Sequence, residues 1–231
     1  MLLPKKPLSL FRDIELLDTP LNGPVWIVDD DEVRASLAFA LSPKFETHTF
    51  SSAQEFLSKT SLDCAGCLIL ETQINGANSF DIQQELNQRV SPIAVIFLSR
   101  RASISMVVKA MQNGAVSFLE KPVDPDLLSQ TVEKALRESQ RRLKRLRLCQ
   151  LLGTLSTRER EIFDLVGQGF RNSDIASKLF LSERTVEVHR AHITRKLGNG
   201  APIRLLYELC RTNGDLELLP SKNRHPKRFQ R

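Results

Sequence analysis

Between Val25 and Leu148 short apolar runs take turns with amphipathic stretches, and this alternation constrains the fold more than any other feature. The runs are Val25–Val28, Phe45–Phe50, Cys67–Leu70, Ile93–Leu98 and Ala115–Leu119. Such runs are too short for core helices and read as strands buried on both faces. Helical patterns lie near Glu32–Leu41, Ala53–Ser58, Phe80–Gln88, Ser103–Asn113 and Pro125–Leu148. Ser52 and Glu55 have the spacing of a capping box, and Asn113-Gly114 that of a helix stop. Consecutive β-α units of this length predict an α/β fold, a five-stranded, doubly wound parallel sheet with helices on both faces.

The fifth helical pattern runs on as ALRESQRRLKRLRLCQLL, too dense in Arg and Lys for a loop, and predicts a solvated connecting helix. After it, Leu155–Leu197 reads as three short helices, a small all-α domain. Ser156 and Glu159 open the first helix as a capping box, and Gly167 and Gly169 end it. Asn172 is placed to cap the second, and Ser182 the third. On the third helix Val186, His189, Ile193 and Leu197 form one inward stripe. Arg184, Glu187, Val188, Ala191 and Arg195 face the other way. Two helices joined by Phe180-Leu181-Ser182 match a helix-turn-helix, whose second helix enters the major groove of double-stranded DNA. A helical hairpin inside a larger core is the competing reading; the caps and the charge favour the groove.

The predicted boundaries are an irregular extension over 1–23, a sheet domain over 24–138 and a helical linker over 139–154. The helix-turn-helix domain follows over 155–213, with a last helix at Ala201–Thr212, and a basic tail over 214–231. Charge divides in the same way. Residues 1–138 hold 13 Lys+Arg and 18 Asp+Glu, and residues 139–231 hold 20 and 9. An acidic front and a basic back fit a regulatory domain joined to a nucleic-acid binder. No run approaches a membrane span, and the start lacks an export signal, so the expected location is cytoplasmic with no membrane partner. Four scattered cysteines exclude a disulfide framework. Cys64-Ala-Gly-Cys67 leads into a strand, not into a helix as a thioredoxin-type pair would, and a zinc site lacks two ligands.

Polar residues close the predicted strands. The first run ends in Asp29-Asp30-Asp31, the third in Glu71, the fourth in Ser99, and Lys121 follows the fifth. In a doubly wound sheet these positions share the crevice beyond the strand ends. Carboxylates from two strands beside a Lys would suit a divalent cation such as Mg²⁺, while Asp29–Asp31 as a helix cap is the plainer alternative.

The segments VWIVDDDEVRASLAFAL, GCLILET, VIFLS and GAVSFLEKPVD resemble the CheY-like receiver domain of two-component response regulators. Residues 155–210 resemble a LuxR-type helix-turn-helix, and the pair is that of the NarL/FixJ class. The resemblance implies a strand-three Asp that takes a phosphoryl group from a sensor histidine kinase with Mg²⁺ bound. It places Asp29 and Asp30 as the metal pair, Ser99 as the hydroxyl, Lys121 as the lysine and Phe118 as the switch aromatic. It also implies a homodimer on inverted half-sites, with the recognition helix beginning at Thr185. Glu187, Val188 and Ala191 are expected to touch bases, and Arg184, Arg190, Arg195 and Lys196 phosphates.

The sequence departs from the family pattern at the phosphoacceptor, which is Glu71. Its carboxylate sits on the order of 1 Å further into the pocket, and in-line attack tolerates such misplacement poorly. The DDDEVR loop is one residue short, Thr72–Ser79 replaces the usual run, and Arg100-Arg101 stands where small residues are normal. These departures predict a DNA-binding transcriptional regulator, not an enzyme, set without aspartyl phosphorylation. Within that reading Glu71 either mimics the phosphoryl group or leaves the receiver a scaffold controlled by a partner or by protein level; as a surface acid it would carry no regulatory meaning. The alternatives are a residual phosphotransfer protein using Asp30 or Asp31, and a partner that sequesters another regulator.

Overall fold

The computed structural model describes residues 23–74, 77–197 and 207. The predicted extension, the helix at Ala201–Thr212 (apart from Tyr207) and the basic tail lie outside the described residues. Five parallel strands form one sheet: β1 (Val25–Val28), β2 (Thr47–Phe50), β3 (Cys67–Glu71), β6 (Ala94–Ser99) and β7 (Ser117–Glu120). Their order is β2-β1-β3-β6-β7, the flavodoxin-like order, reversing direction at β1 and β3. The helices are α1 (Asp31–Leu41), α2 (Ala53–Lys59), α3 (Phe80–Gln88), α4 (Ile104–Gln112) and α5 (Pro125–Gly153). Sequence reading missed a short antiparallel pair, β4 (Gln73–Ile74) with β5 (Ala77–Asn78); two-residue strands carry no periodicity to detect.

The central strands are buried along their whole length, which is why their sequences are unbroken apolar runs. Two clusters cover the two faces. Val28, Phe56, Leu68, Leu70 and Phe97 belong to one, and Ile27, Ile69, Ile96, Leu128 and Val132 to the other. The turn before β3 needs Gly66, because a Cβ there would run into the Trp26 ring. Cys67 is buried as the first residue of β3, and burial raises its thiol far above the ordinary range. That environment suits packing and not redox chemistry.

The described residues divide into two compact units between Lys144 and Arg145, within the stretch expected as the helical linker. Ser139 is fully buried in the first unit, donating to the Pro92 carbonyl (2.7 Å) and accepting from Gly66 N–H (2.9 Å). Leu148, Leu151 and Leu152 belong to the second core. The stretch expected as a solvated linker is thus structural at both ends. The second unit adds α6 (Thr157–Gly167), α7 (Asn172–Leu179) and α8 (Glu183–Leu197) around Phe163, Ile175, Val186, Ile193 and Leu197. Ser156 and Glu159 form the predicted capping box. The N-cap of α7 is Arg171, so Asn172 is the first helical residue and not the cap.

Candidate functional site

Parallel register delivers the polar strand ends to one place. Asp29 follows β1, Glu71 and Ser99 end β3 and β6, and Lys121 follows β7. There Lys121 Nζ lies 2.5 Å from Glu71 Oε2 and 2.7 Å from Asp29 Oδ2. Asp29 is 1% exposed and Glu71 5%, so two buried carboxylates share one ammonium. Burial raises the Asp29 carboxyl above its ordinary value against the opposing pull of Lys121. The other Glu71 oxygen accepts from the Thr72 N–H and hydroxyl, each at 2.8 Å. Thr72 Oγ1 lies 3.0 Å from Ser99 Oγ, which accepts from Arg101 N–H. Glu71 is thereby linked through Thr72 to Ser99.

Asp30 is drawn elsewhere. Its carboxylate is 2.7 Å from the Arg100 guanidinium at the exposed rim. Glu71, Thr72, Ser99, Arg100 and Arg101 help to line a cavity of about 480 Å³. Phe118 is partly buried, its ring 6.1 Å from that of Phe97. Two contributors escaped sequence reading. Thr72 carried no signal beyond adjacency to Glu71. Arg34, on α1, donates to the carbonyls of Asp29 and Phe50 and so ties the ends of β1 and β2.

A divalent cation needs several oxygens turned toward one point. Here the Asp29 oxygens face Lys121, those of Glu71 divide between Lys121 and Thr72, and Asp30 faces Arg100. Among the described residues no three His, Cys, Asp or Glu are gathered to hold a metal. The residues present therefore do not fit the Mg²⁺ that the resemblance implied. Two side-chain cations stand beside the carboxylates instead.

In the second unit Val186, Ile193 and Leu197 are buried and His189 is half-buried, as the stripe required. Glu187, Val188, Ala191, Arg184 and Arg195 are exposed on α8. Arg184 pairs loosely with Glu187 at 3.2 Å, and Thr185 hydrogen-bonds the cap Ser182. Two expected phosphate ligands have other tasks. Arg190 donates to Asn172 Oδ1 at 2.7 Å, bracing α7 on α8. Lys196 donates to Glu159 Oε2 at 2.6 Å and to the Thr154 carbonyl. Spacing alone cannot show such partners, because they come from other helices.

Comparison with known proteins agrees with both units. The response regulator receiver domain model matches residues 25–133, and that of bacterial regulatory proteins, luxR family, matches residues 153–201. Nodulation protein W of Bradyrhizobium diazoefficiens is 37% identical over 181 residues, spanning 75% of this chain and 79% of that protein. The chain is a two-component response regulator. Its LuxR-type DNA-binding domain makes it a transcriptional regulator. This response regulator is also 34% identical to the tetrathionate response regulatory protein TtrR of Salmonella typhimurium, over 77% of this chain and 87% of that one. Among solved structures it resembles the response regulator StyR, with 33% identity and a TM-score of 0.62, covering 83% of this chain and 99% of that chain. No described helix is long and apolar enough to cross a membrane.

Proposed function

We propose that this response regulator is set without aspartyl phosphate, Glu71 supplying the charge that a phosphoryl group would bring, and that it reads double-stranded DNA with the exposed face of α8. One observation carries the first part: the Glu71 carboxylate is already bonded to Lys121 and joined through Thr72 to Ser99. These are the groups that the family resemblance assigns to the phosphoryl oxygens. A carboxylate held there biases the receiver toward one of its arrangements without a kinase. Homodimerisation is supported by Ile104, Val108 and Met111, exposed along one face of α4.

Acetyl phosphate or beryllofluoride with Mg²⁺ tests this directly. Intact mass and fluorine spectra should show no adduct, and phosphate on Asp30 or Asp31 would overturn the proposal. Glu71→Ala should weaken binding to a DNA fragment selected by the wild-type chain. Unchanged affinity and oligomeric state would reduce the receiver to a scaffold. A purified homodimer that shifts DNA in a gel counts against a purely sequestering role.

The division of labour on α8 is separately testable. Arg184→Ala should lower affinity for every sequence and reduce the slope of log K against log salt by about 1. Glu187 can accept from cytosine N4, so Glu187→Ala should relax sequence preference, with discrimination falling by about 1–3 kcal/mol at one base pair. An Arg184 variant that loses only discrimination would reverse the assignment.

A further inference from the structure

Phe180 combines two unfavourable features at one position. Its ring is 95% exposed, and its backbone lies in the left-handed region at φ 55°, ψ 48°. That conformation is costly for any residue with a Cβ and is usually filled by glycine at a helix C-terminus. The surrounding main chain fixes it. The N–H groups of Phe180 and Leu181 both donate to the Ala176 carbonyl, Arg158 donates to the Leu179 carbonyl, and Leu181 packs on the core. Glycine would satisfy every one of these constraints. The ring gains no burial in the free chain, so the fold gives no reason for it.

Its location supplies a reason. Phe180 sits in the turn that leads into α8, between Lys178 and Arg184, in a unit whose residues 145–197 carry ten Lys+Arg against six Asp+Glu. An exposed apolar tip on a net-basic unit suits a polyanion with apolar faces, and thymine methyls are met by Phe in this way. We infer that Phe180 is a DNA contact, packing its ring on a thymine methyl or sugar face beside the groove that α8 enters. The inference rests on the groove reading of α8.

The test uses the full chain and a duplex selected from genomic fragments by the wild type. Phe180→Gly should raise the thermal midpoint, yet bind the duplex about tenfold more weakly, equal to about 1.4 kcal/mol. The salt slope should not change, because the ring carries no charge. Phe180→Ala keeps the strained backbone and should lose the same affinity without the gain in stability. Val90 is the control: it is also left-handed (φ 53°), at the end of α3, so Val90→Gly should stabilise the chain and leave affinity untouched. Wild-type affinity in both Phe180 variants would overturn the inference, including the case where only transcription or self-association suffers, which would assign the ring to a protein partner. If the wild type selects no duplex, the reading of α8 fails as well.

Discussion

Replacing Lys121 with Met should cost the receiver about 3–5 kcal/mol, the penalty for stranding buried charge. Asp29 and Glu71 both turn to this one ammonium, at 2.7 and 2.5 Å, and both are largely removed from the solvent that would replace it. Urea unfolding followed by tryptophan emission measures the loss cleanly. The chain has one tryptophan, and Trp26 lies in the receiver core, so the signal ignores the second unit. Adding Glu71→Gln to the Lys121 variant should recover part of the loss, because only one stranded carboxylate then remains. The pH dependence has a definite sign. Burial already raises the Asp29 carboxyl, and without Lys121 that effect acts with less opposition. A carboxyl raised in the folded state binds protons that the unfolded chain releases, so stability falls as pH rises. Acidification should therefore favour the variant relative to the wild type. A loss below about 1 kcal/mol would show that the pocket is solvated enough to do without Lys121.

The second large effect belongs to Glu159. This carboxylate accepts from Ser156 N–H at 2.7 Å and from Lys196 at 2.6 Å, joining the start of α6 to the end of α8. Burial would raise its carboxyl, yet Lys196 and Ser156 together hold it down to about 2. Glu159→Ala should destabilise the DNA-binding unit by about 2–3 kcal/mol, a cap and a charged hydrogen bond together. Because the folded carboxyl is depressed, its stabilisation is complete above the ordinary value of 4.5 and is lost as pH falls from there toward 2. Asp164, whose carboxyl burial raises, acts with the opposite sign. The useful quantity is therefore the difference between wild type and variant, read by hydrogen exchange of α6 and α8 amides. That difference should shrink on acidification, and a constant one would remove Glu159 from the acid response.

The architecture was largely legible because its causes are local. Unbroken apolar runs at Cys67–Leu70 and Ile93–Leu98 admit few structures except strands covered on both faces. The Ser156/Glu159 and Ser182 caps announced two helix starts. What escaped depended on residues distant in sequence. Lys196 looks like a phosphate ligand until Glu159, 37 residues earlier, is found beside it. Arg190 looks the same until Asn172 is placed. The packing roles of the linker residues escaped for a related reason. Charge density suggested a solvated connector, whereas Leu148, Leu151 and Leu152 form the inner stripe of its last turns. In the pocket, the strand ends were legible as neighbours, but the division of three carboxylates between Lys121 and Arg100 was not.

That division also bears on how the pocket could change by mutation. The substitution Glu71→Asp removes one methylene of reach and leaves Asp30 on Arg100 and Asp29 on Lys121. On the proposed reading, a return to phosphate chemistry asks for more than that one change, since a cation settling on Asp30 must also displace the exposed Arg100. The variant that carries Glu71→Asp and keeps Arg100 would lack the reach of Glu71 and still have Arg100 competing for Asp30. An arginine at the rim, and not only the residue at the centre, thus stands in the path of such a change.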